Sequence, residues 1–340
     1  MKPIENYSLR NLNTFGLNAS ARYYASAESL DELRELVEWA KKHRLPLLPL
    51  GGGSNILLKD DYPGLVIAIN LGGIESLPFG ENKRILRAGA GVEWHDLVLF
   101  ALKNELGGIE NLSLIPGKTG AAPIQNIGAY GVELKDVFYE LEALDTLQNE
   151  ILHFNARDCR FAYRDSYFKN EGKGRYIITS VSLKLTAARD YKLNLSYGGI
   201  RQKLDEMGVG EAGIRDVSDA VIRIRKEKLP DPSVTGNAGS FFKNPEITKP
   251  EFERLLAAHP DIPHFRLDSG RIKIPAAWLI DRCGWKGRKV GRAATHHRQA
   301  LVLVNTGGAD AEEILYLAEM IRKDVEKKFG IALTPEVNII

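Results

Sequence analysis

The chain has 340 residues, 44% of them apolar and 26% charged, a balance that excludes disordered and fibrous classes and points to a soluble globular protein. That length exceeds one ordinary core, so two or three domains are expected. Lys and Arg total 46 against 44 Asp and Glu, and the resulting formal charge of +2 gives no basis for bulk nucleic-acid or acidic-membrane binding.

The N-terminal residues carry no basic segment followed by an apolar core, so no signal peptide is expected. SLDELRELVEWAKKHR, from Ser29, predicts a helix with Ser29 and Glu32 as a capping box and Leu30, Leu33, Leu36, Val37 and Ala40 on one face. LPLLPL (45–50) reads as a strand, then the glycine turn GGGSN (51–55), then the strand-like ILL and LVIAI on either side of a DDYPG turn. Residues 92–106 predict a second helix, stopped by Gly107 and Gly108. Its LVLFAL run (97–102) falls far short of a membrane span, so no membrane insertion is expected.

A second glycine-spaced loop, IPGKTGAAPIQNIGAYGVE, runs from 115 to 133. Strands near 137–145, 150–154 and 176–186 follow, then a helix over 218–230 ended by Pro230. A boundary is expected between 225 and 235. Beyond it come helices near 249–259, 275–282 and 309–329, a strand at 299–305 and a last strand in IALTPEVNII. Strands and helices connected in this way predict an α+β or α/β organisation. Cys159 and Cys283 stand apart with no CxxC, so neither a disulfide framework nor a zinc site is implied, and a reduced, cytoplasmic setting fits.

The glycine clusters invite phosphate readings. A Walker A site at GKT (117–119) would need glycine where Leu112 stands, and GGGSN is followed by strand-forming Ile56, Leu57 and Leu58 rather than by a Rossmann helix. Taken alone, GGGSN is as consistent with a tight turn as with an anion-binding nest of Gly51, Gly52 and Gly53 with Ser54 and Asn55. The second loop adds Gly117, Gly120, Gly128 and Gly131 with Ala121, Ala122 and Pro123, a small-residue wall suited to a flat ligand or a pyrophosphate. Together the two loops predict a cofactor cradle. In GNAGSFFKNP, Ser240 on spacing alone reads as a turn or cap residue, and the GxSxG of a serine hydrolase is missing. Arg164 and Asp165 read as a surface ion pair, and Tyr163 as packing. His296 and His297 adjoin like a metal pair without a carboxylate or cysteine at ligand spacing, which favours a structural or substrate-hydrogen-bonding role over a metal.

The motifs LPLGGGSNILL, IPGKTGAAPIQNIGAYGVELKDV, YRDSYFK, KLPDP, GNAGSFFKNP, AAWLIDRCGWKG, HRQALVLVN and TPEV occur in that order. From about residue 10 to the C-terminus the sequence resembles the MurB family of UDP-N-acetylenolpyruvoylglucosamine reductases, in its longer-loop, tyrosine-containing class. The resemblance implies an α+β protein: an FAD-binding domain of the vanillyl-alcohol-oxidase (PCMH) type plus a smaller substrate-binding domain. It implies subdomains over 1–70 and 71–228, a substrate domain over 229–332, and a strand over 333–340 that returns to the active site.

The activity implied is NADPH-dependent reduction of UDP-N-acetylglucosamine enolpyruvate to UDP-N-acetylmuramate through bound FAD, in peptidoglycan precursor synthesis by a cytoplasmic monomer. Ser240 matches the proton donor, with Arg164 and Glu336 as the other catalytic positions. Tyr197 resembles the tyrosine that closes over substrate. Lys228, Asn244, Lys286 and Gln299 match positions that hold the UDP-sugar, and Tyr130 and Tyr163 lie in motifs that face the site. Asn338 stands where a basic side chain is expected, and Phe265 replaces a tyrosine. Two other readings stay open from sequence: a flavoenzyme acting on another substrate, and a non-catalytic UDP-sugar-binding protein.

Overall fold

The computed structural model describes residues 2–197, 199–267 and 269–340. The chain forms two compact units, one of residues 1–7, 21–52 and 62–227, the other of residues 8–20, 53–61 and 228–340.

The first unit begins with a four-stranded sheet in the order Ile4–Ser8, Ser20–Ala27, Tyr62–Ile69, Leu47–Leu50. The Tyr62–Ile69 strand runs parallel to both neighbours. A parallel pair needs a crossover, and the helix Leu30–Lys42 supplies it between Ser20–Ala27 and Leu47–Leu50. The expected capping box is present: the Ser29 hydroxyl accepts from the Glu32 N–H, and Glu32 reaches back to the Ser29 N–H. Leu33, Leu36, Val37 and Ala40 pack on Ala25, Ala27, Leu65, Ile67 and Ile69. Full burial of each Leu or Val is worth roughly 1.5–3 kcal/mol.

An antiparallel sheet follows in the order Glu150–Asn155, Phe138–Asp145, Tyr176–Ala187, Lys83–Gly89, Ile74–Pro78. The strands Lys83–Gly89 and Ile74–Pro78 were not expected; in the first, the buried Ile85, Leu86 and Ala88 stand among Lys83, Arg84 and Arg87 in a short stretch. The helix Trp94–Lys103 lies against this sheet, with the buried Trp94 indole donating to the Leu112 carbonyl at 3.0 Å.

In the second unit, a four-stranded sheet has the order Gly236–Ser240, Val302–Asn305, Ala293–Thr295, Lys289–Val290. One face, through Ala293 and Leu303, joins the core beneath the helix Ala311–Phe329. A small sheet of Glu246–Ile247, Ile272–Lys273 and Phe265–Arg266 and the helices Lys249–Ala258 and Ala276–Arg282 complete the unit. The last strand is shorter than expected: only Asn338–Ile339 is regular, parallel to Ile56–Leu57.

Among the described residues no helix is long and apolar enough to cross a membrane. Truncating the first helix separates its two supports. Leu36→Ala is expected to cost about 2–5 kcal/mol of stability and Ser29→Ala about 1 kcal/mol, read from denaturant midpoints.

Candidate active site

The two glycine loops meet within the first unit. A Cβ on Gly52 would stand 3.0 Å from the Gly117 Cα, and one on Gly51 would stand 3.6 Å from the Cβ atoms of Lys118 and Ala121. A side chain at position 52 would require the Gly117 backbone to give way, whereas a methyl group at position 51 would fit in ordinary contact. The second loop is pinned from behind: Gly117 O accepts from Trp94 N–H at 2.9 Å, Thr119 N–H donates to Val92 O at 2.8 Å, and Gly120 N–H donates to Ala90 O at 2.9 Å. A 3-10 helix, Thr119–Gln125, then buries Ala122 and Pro123 while Ala121 stays exposed. Gly120 sits so close to Ala90 that a Cβ would collide with it. Gly51, Gly52, Gly117, Gly120 and Ala121 keep accessible surface, and the buried Ala122 and Pro123 back them. Lys118 does not project as a P-loop lysine does, since its ammonium binds the Ile69 carbonyl and the Asn70 side chain.

The start of this loop is held by two residues that the sequence did not single out. Leu114 has a left-handed backbone, φ 57°. Its N–H donates to His95 Nδ1 at 3.0 Å, and its carbonyl accepts from Arg225 Nε at 3.2 Å. The imidazole must be neutral at Nδ1 to accept, and burial, with Arg225 and Lys226 adding to it against an opposing Asp96, lowers its pKa. Burial likewise lowers the Arg225 pKa, opposed by the Tyr130 phenol. The signal was present in the helix Ile214–Lys228: Arg225 falls on the stripe of Ile214, Ser218 and Val221, where a lone cation among buried positions needs an acceptor.

Beyond the loop, Arg164 (φ 52°) donates to the Gly128 carbonyl at 2.6 Å, and its guanidinium lies 5.4 Å from the Tyr163 ring centroid. Asp165 instead accepts from Ser166 N–H and Asn170 Nδ2. Burial raises the Tyr130 pKa, with Arg225 opposing and Tyr197 adding. Tyr197, 41% exposed, lies against Gly131, where a Cβ would stand 3.2 Å from its own.

The second unit holds the remaining candidates. The strand Gly236–Ser240 pairs Asn237 with Val304 but Ser240 with Val302, so it contains one extra residue. Gly239 takes it up at φ 69°. Unbulged, Ser240 would oppose Leu301. The bulge turns it to the face of Val302 and Val304, because a one-residue slip flips a strand's side chains. Asn237 locks the bulge by accepting from Gly239 N–H at 2.9 Å and donating to Thr235 O at 2.8 Å.

The segment after Ser240 pairs with the C-terminus. Glu336 N–H donates to Phe241 O at 2.8 Å, and Lys243 N–H donates to Thr334 O at 2.9 Å. This sets Glu336 beside the residue that follows Ser240. The C-terminus in turn binds the second half of the GGGSN motif: Asn55 Nδ2 donates to Glu336 O at 3.3 Å, and Asn338 donates to Asn55 O from both its N–H and its side chain. Asn338 thus serves as a backbone clamp. Gly53, Ser54 and Asn55 belong to this unit, whereas Gly51 and Gly52 belong to the first. Asn244 Oδ1 caps the helix Ala276–Arg282 through Ala276 N–H at 2.9 Å. Lys286 lies 3.5 Å from Asp281, Gln299 closes the turn into Val302, and Lys228 is the exposed last residue of its helix.

The comparisons with known proteins agree with this division of labour. A family model described as an FAD binding domain matches residues 21–155. With the glycine wall, this defines a flavin-dependent oxidoreductase. A second model, described as UDP-N-acetylenolpyruvoylglucosamine reductase, C-terminal domain, matches residues 231–340. The chain is 48% identical over 336 residues to a protein of Amoebophilus asiaticus named UDP-N-acetylenolpyruvoylglucosamine reductase, covering 99% of this chain and 98% of that one. It is also 48% identical to the Pseudomonas aeruginosa protein of that name, covering 98% of each. A crystal structure of the reductase from Thermus caldophilus aligns with TM-score 0.67 at 24% identity, covering 99% of this chain and 98% of that one, and shares the fold. The chain belongs to the UDP-N-acetylenolpyruvoylglucosamine reductase family, and its first unit carries the expected FAD-binding domain.

Two outcomes test this geometry. Gly52→Val drives the loops apart, so the purified variant should lose its flavin absorbance while keeping its far-ultraviolet dichroism. For His95, a lowered folded pKa means that the unfolded chain binds the proton first. Its contribution to stability is complete above the ordinary value near 6.5 and is lost as pH falls through the lowered folded value. His296 shifts the same way, so His95→Phe should flatten only part of that fall in urea titrations.

Proposed function

We propose that this chain reduces the enolpyruvyl group of UDP-N-acetylglucosamine enolpyruvate to give UDP-N-acetylmuramate, with NADPH as the electron source, in peptidoglycan precursor synthesis. The observation that carries the reading is the bulged Ser240, fixed by Gly239 and adjoined by the segment bearing Glu336. The names of the relatives support the substrate.

When bound, FAD supplies a two-electron carrier that accepts a hydride from NADPH and yields it to an electron-poor alkene carbon. Gly51, Gly52, Gly117 and Ala121 would hold it, as small residues of two loops brought together where Gly52 meets Gly117.

Hydride addition at C3 of the enol ether leaves negative charge shared between C2 and the carboxylate. Arg164 meets the carboxylate with a planar fork of N–H donors. Its Nη2 bond to Gly128 and its place over Tyr163 hold that fork in one orientation. Ser240 gives its hydroxyl proton to C2. A serine is a weak acid in water, but a strongly basic carbanion held close, with water excluded, takes the proton. The serine then regains a proton from solvent, so one hydride and one proton are consumed per double bond reduced. Glu336 assists only as a carboxylic acid or as a hydrogen-bonded relay, because a bare carboxylate repels the developing charge. Lys228, Asn244, Lys286 and Gln299 hold the sugar nucleotide, and Tyr197, exposed beside Gly131, covers it.

Anaerobic stopped-flow at the flavin band tests the scheme. NADPH should bleach the wild-type protein and the enol ether should restore its colour. Bleaching without recovery would assign a different acceptor. In Ser240→Ala, bleaching by NADPH should persist, while recovery slows by about 10²–10⁴-fold. Equal slowing of both phases would remove Ser240 from the proton-donor role.

A further inference from the structure

His296 is buried, with 7% of its surface exposed, and its Nδ1 has no hydrogen-bond partner among the described residues. Such an atom is costly to bury unless something pairs with it. Its position follows from the sheet register. Thr295 opposes Leu303, and His296 N–H donates to Val302 O at 2.8 Å, so His296 is the next residue across from Val302. Ser240 opposes Val302 from the other side. Residues directly opposed in an antiparallel sheet share a face, so Ser240, Val302 and His296 form one row across three strands.

The alternation along the Ala293–Thr295 strand agrees. Thr295 turns to the opposite face, where its hydroxyl bonds the Trp285 carbonyl and accepts from Arg288 N–H at 3.1 Å. Ala294 turns to the Ser240 face and clusters with Val302, Val304 and Leu229. Two strand spacings of about 4.8 Å place the His296 backbone roughly 10 Å from that of Ser240, within the length of a sugar nucleotide.

We propose that His296 is a further substrate-binding residue, whose imidazole hydrogen-bonds an uncharged hydroxyl or amide of the sugar nucleotide at the end of this row away from Ser240. The inference rests on the substrate reading above. Burial, with His297 and Arg298 adding to it, lowers the His296 pKa and keeps the ring neutral, with one donor and one acceptor. A neutral ring suits a hydroxyl or an amide and is a poor match for phosphate, which a cation would serve better. Its ring packs 4.4 Å from that of His297.

The test uses the flavin-loaded protein, with UDP-N-acetylglucosamine and its enolpyruvyl ether titrated against the flavin spectrum. His296→Phe keeps an aromatic ring and removes both nitrogens, and should weaken binding of both ligands by roughly tenfold to a hundredfold. His296→Gln keeps a donor and an acceptor and should recover most of the loss. Imidazole ¹⁵N shifts of the unsubstituted protein should move at His296 on adding either ligand, a readout that survives if a variant fails to fold. Unchanged shifts, or a Phe variant that binds as tightly as the parent, overturn the proposal while leaving Ser240 in its role. If the parent itself binds neither ligand, the substrate reading falls and this inference falls with it.

Discussion

A single extra residue in the strand Gly236–Ser240 governs which face of the second unit's sheet carries the Ser240 side chain. Without the bulge, the side chain at 240 would join the face that Leu303 gives to the core. With it, the hydroxyl joins the face that carries Val302 and Val304. Gly239 makes this cheap by adopting a left-handed backbone that a side chain would resist. Immediately beyond, Phe241 and Phe242 are wholly buried and pack edge to face at 5.1 Å, so the bulge is clamped between Asn237 and an aromatic anchor. The same stretch then hydrogen-bonds the segment of Glu336, which hydrogen-bonds Asn55. Residues 55, 240 and 336 are thereby ordered by backbone hydrogen bonds, whose geometry tolerates little play.

The first unit solves a different problem with similar means. The close approach of two loops here relies on glycine, which is entropically expensive to order. The structure compensates by pinning the loop from behind, through backbone bonds to Ala90, Val92 and Trp94 and through the His95 and Arg225 bonds at Leu114. A left-handed leucine at the entry to such a loop is strain held in place by its surroundings.

Periodic features were legible in the sequence. The first helix and its cap appear as read, because a 3.6-residue stripe and a capping box are local signals. The helices read over 249–259, 275–282 and 309–329 lie within one or two residues of Lys249–Ala258, Ala276–Arg282 and Ala311–Phe329. The glycine loops were legible as a wall, but not which residues face outward: Ala122 and Pro123 look the same in sequence as Ala121, and only the 3-10 turn assigns them to the core. The bulge at Gly239 was invisible, because register depends on the partner strand some sixty residues away. His95 and Arg225 were missed for a related reason: both act on the backbone of residue 114, across long separations in the chain. The last strand was read as longer than it is because TPEV looks extended and is extended, yet its pairing with 241–243 is a few irregular bonds.

The chain passes between its two units five times, after residues 7, 20, 52, 61 and 227. The second unit therefore has no contiguous gene segment. A fragment starting at 228 would lack the loop around Asn13, whose neighbours Thr14 and Phe15 bond Asn237 and Asn305, and the strand Ile56–Leu57 that pairs with Asn338–Ile339. Recombination at the apparent junction near 228 would leave those partners behind with the other parent. Viable chimaeras between relatives must therefore inherit residues 8–20 and 53–61 together with the C-terminal third, as a matched set.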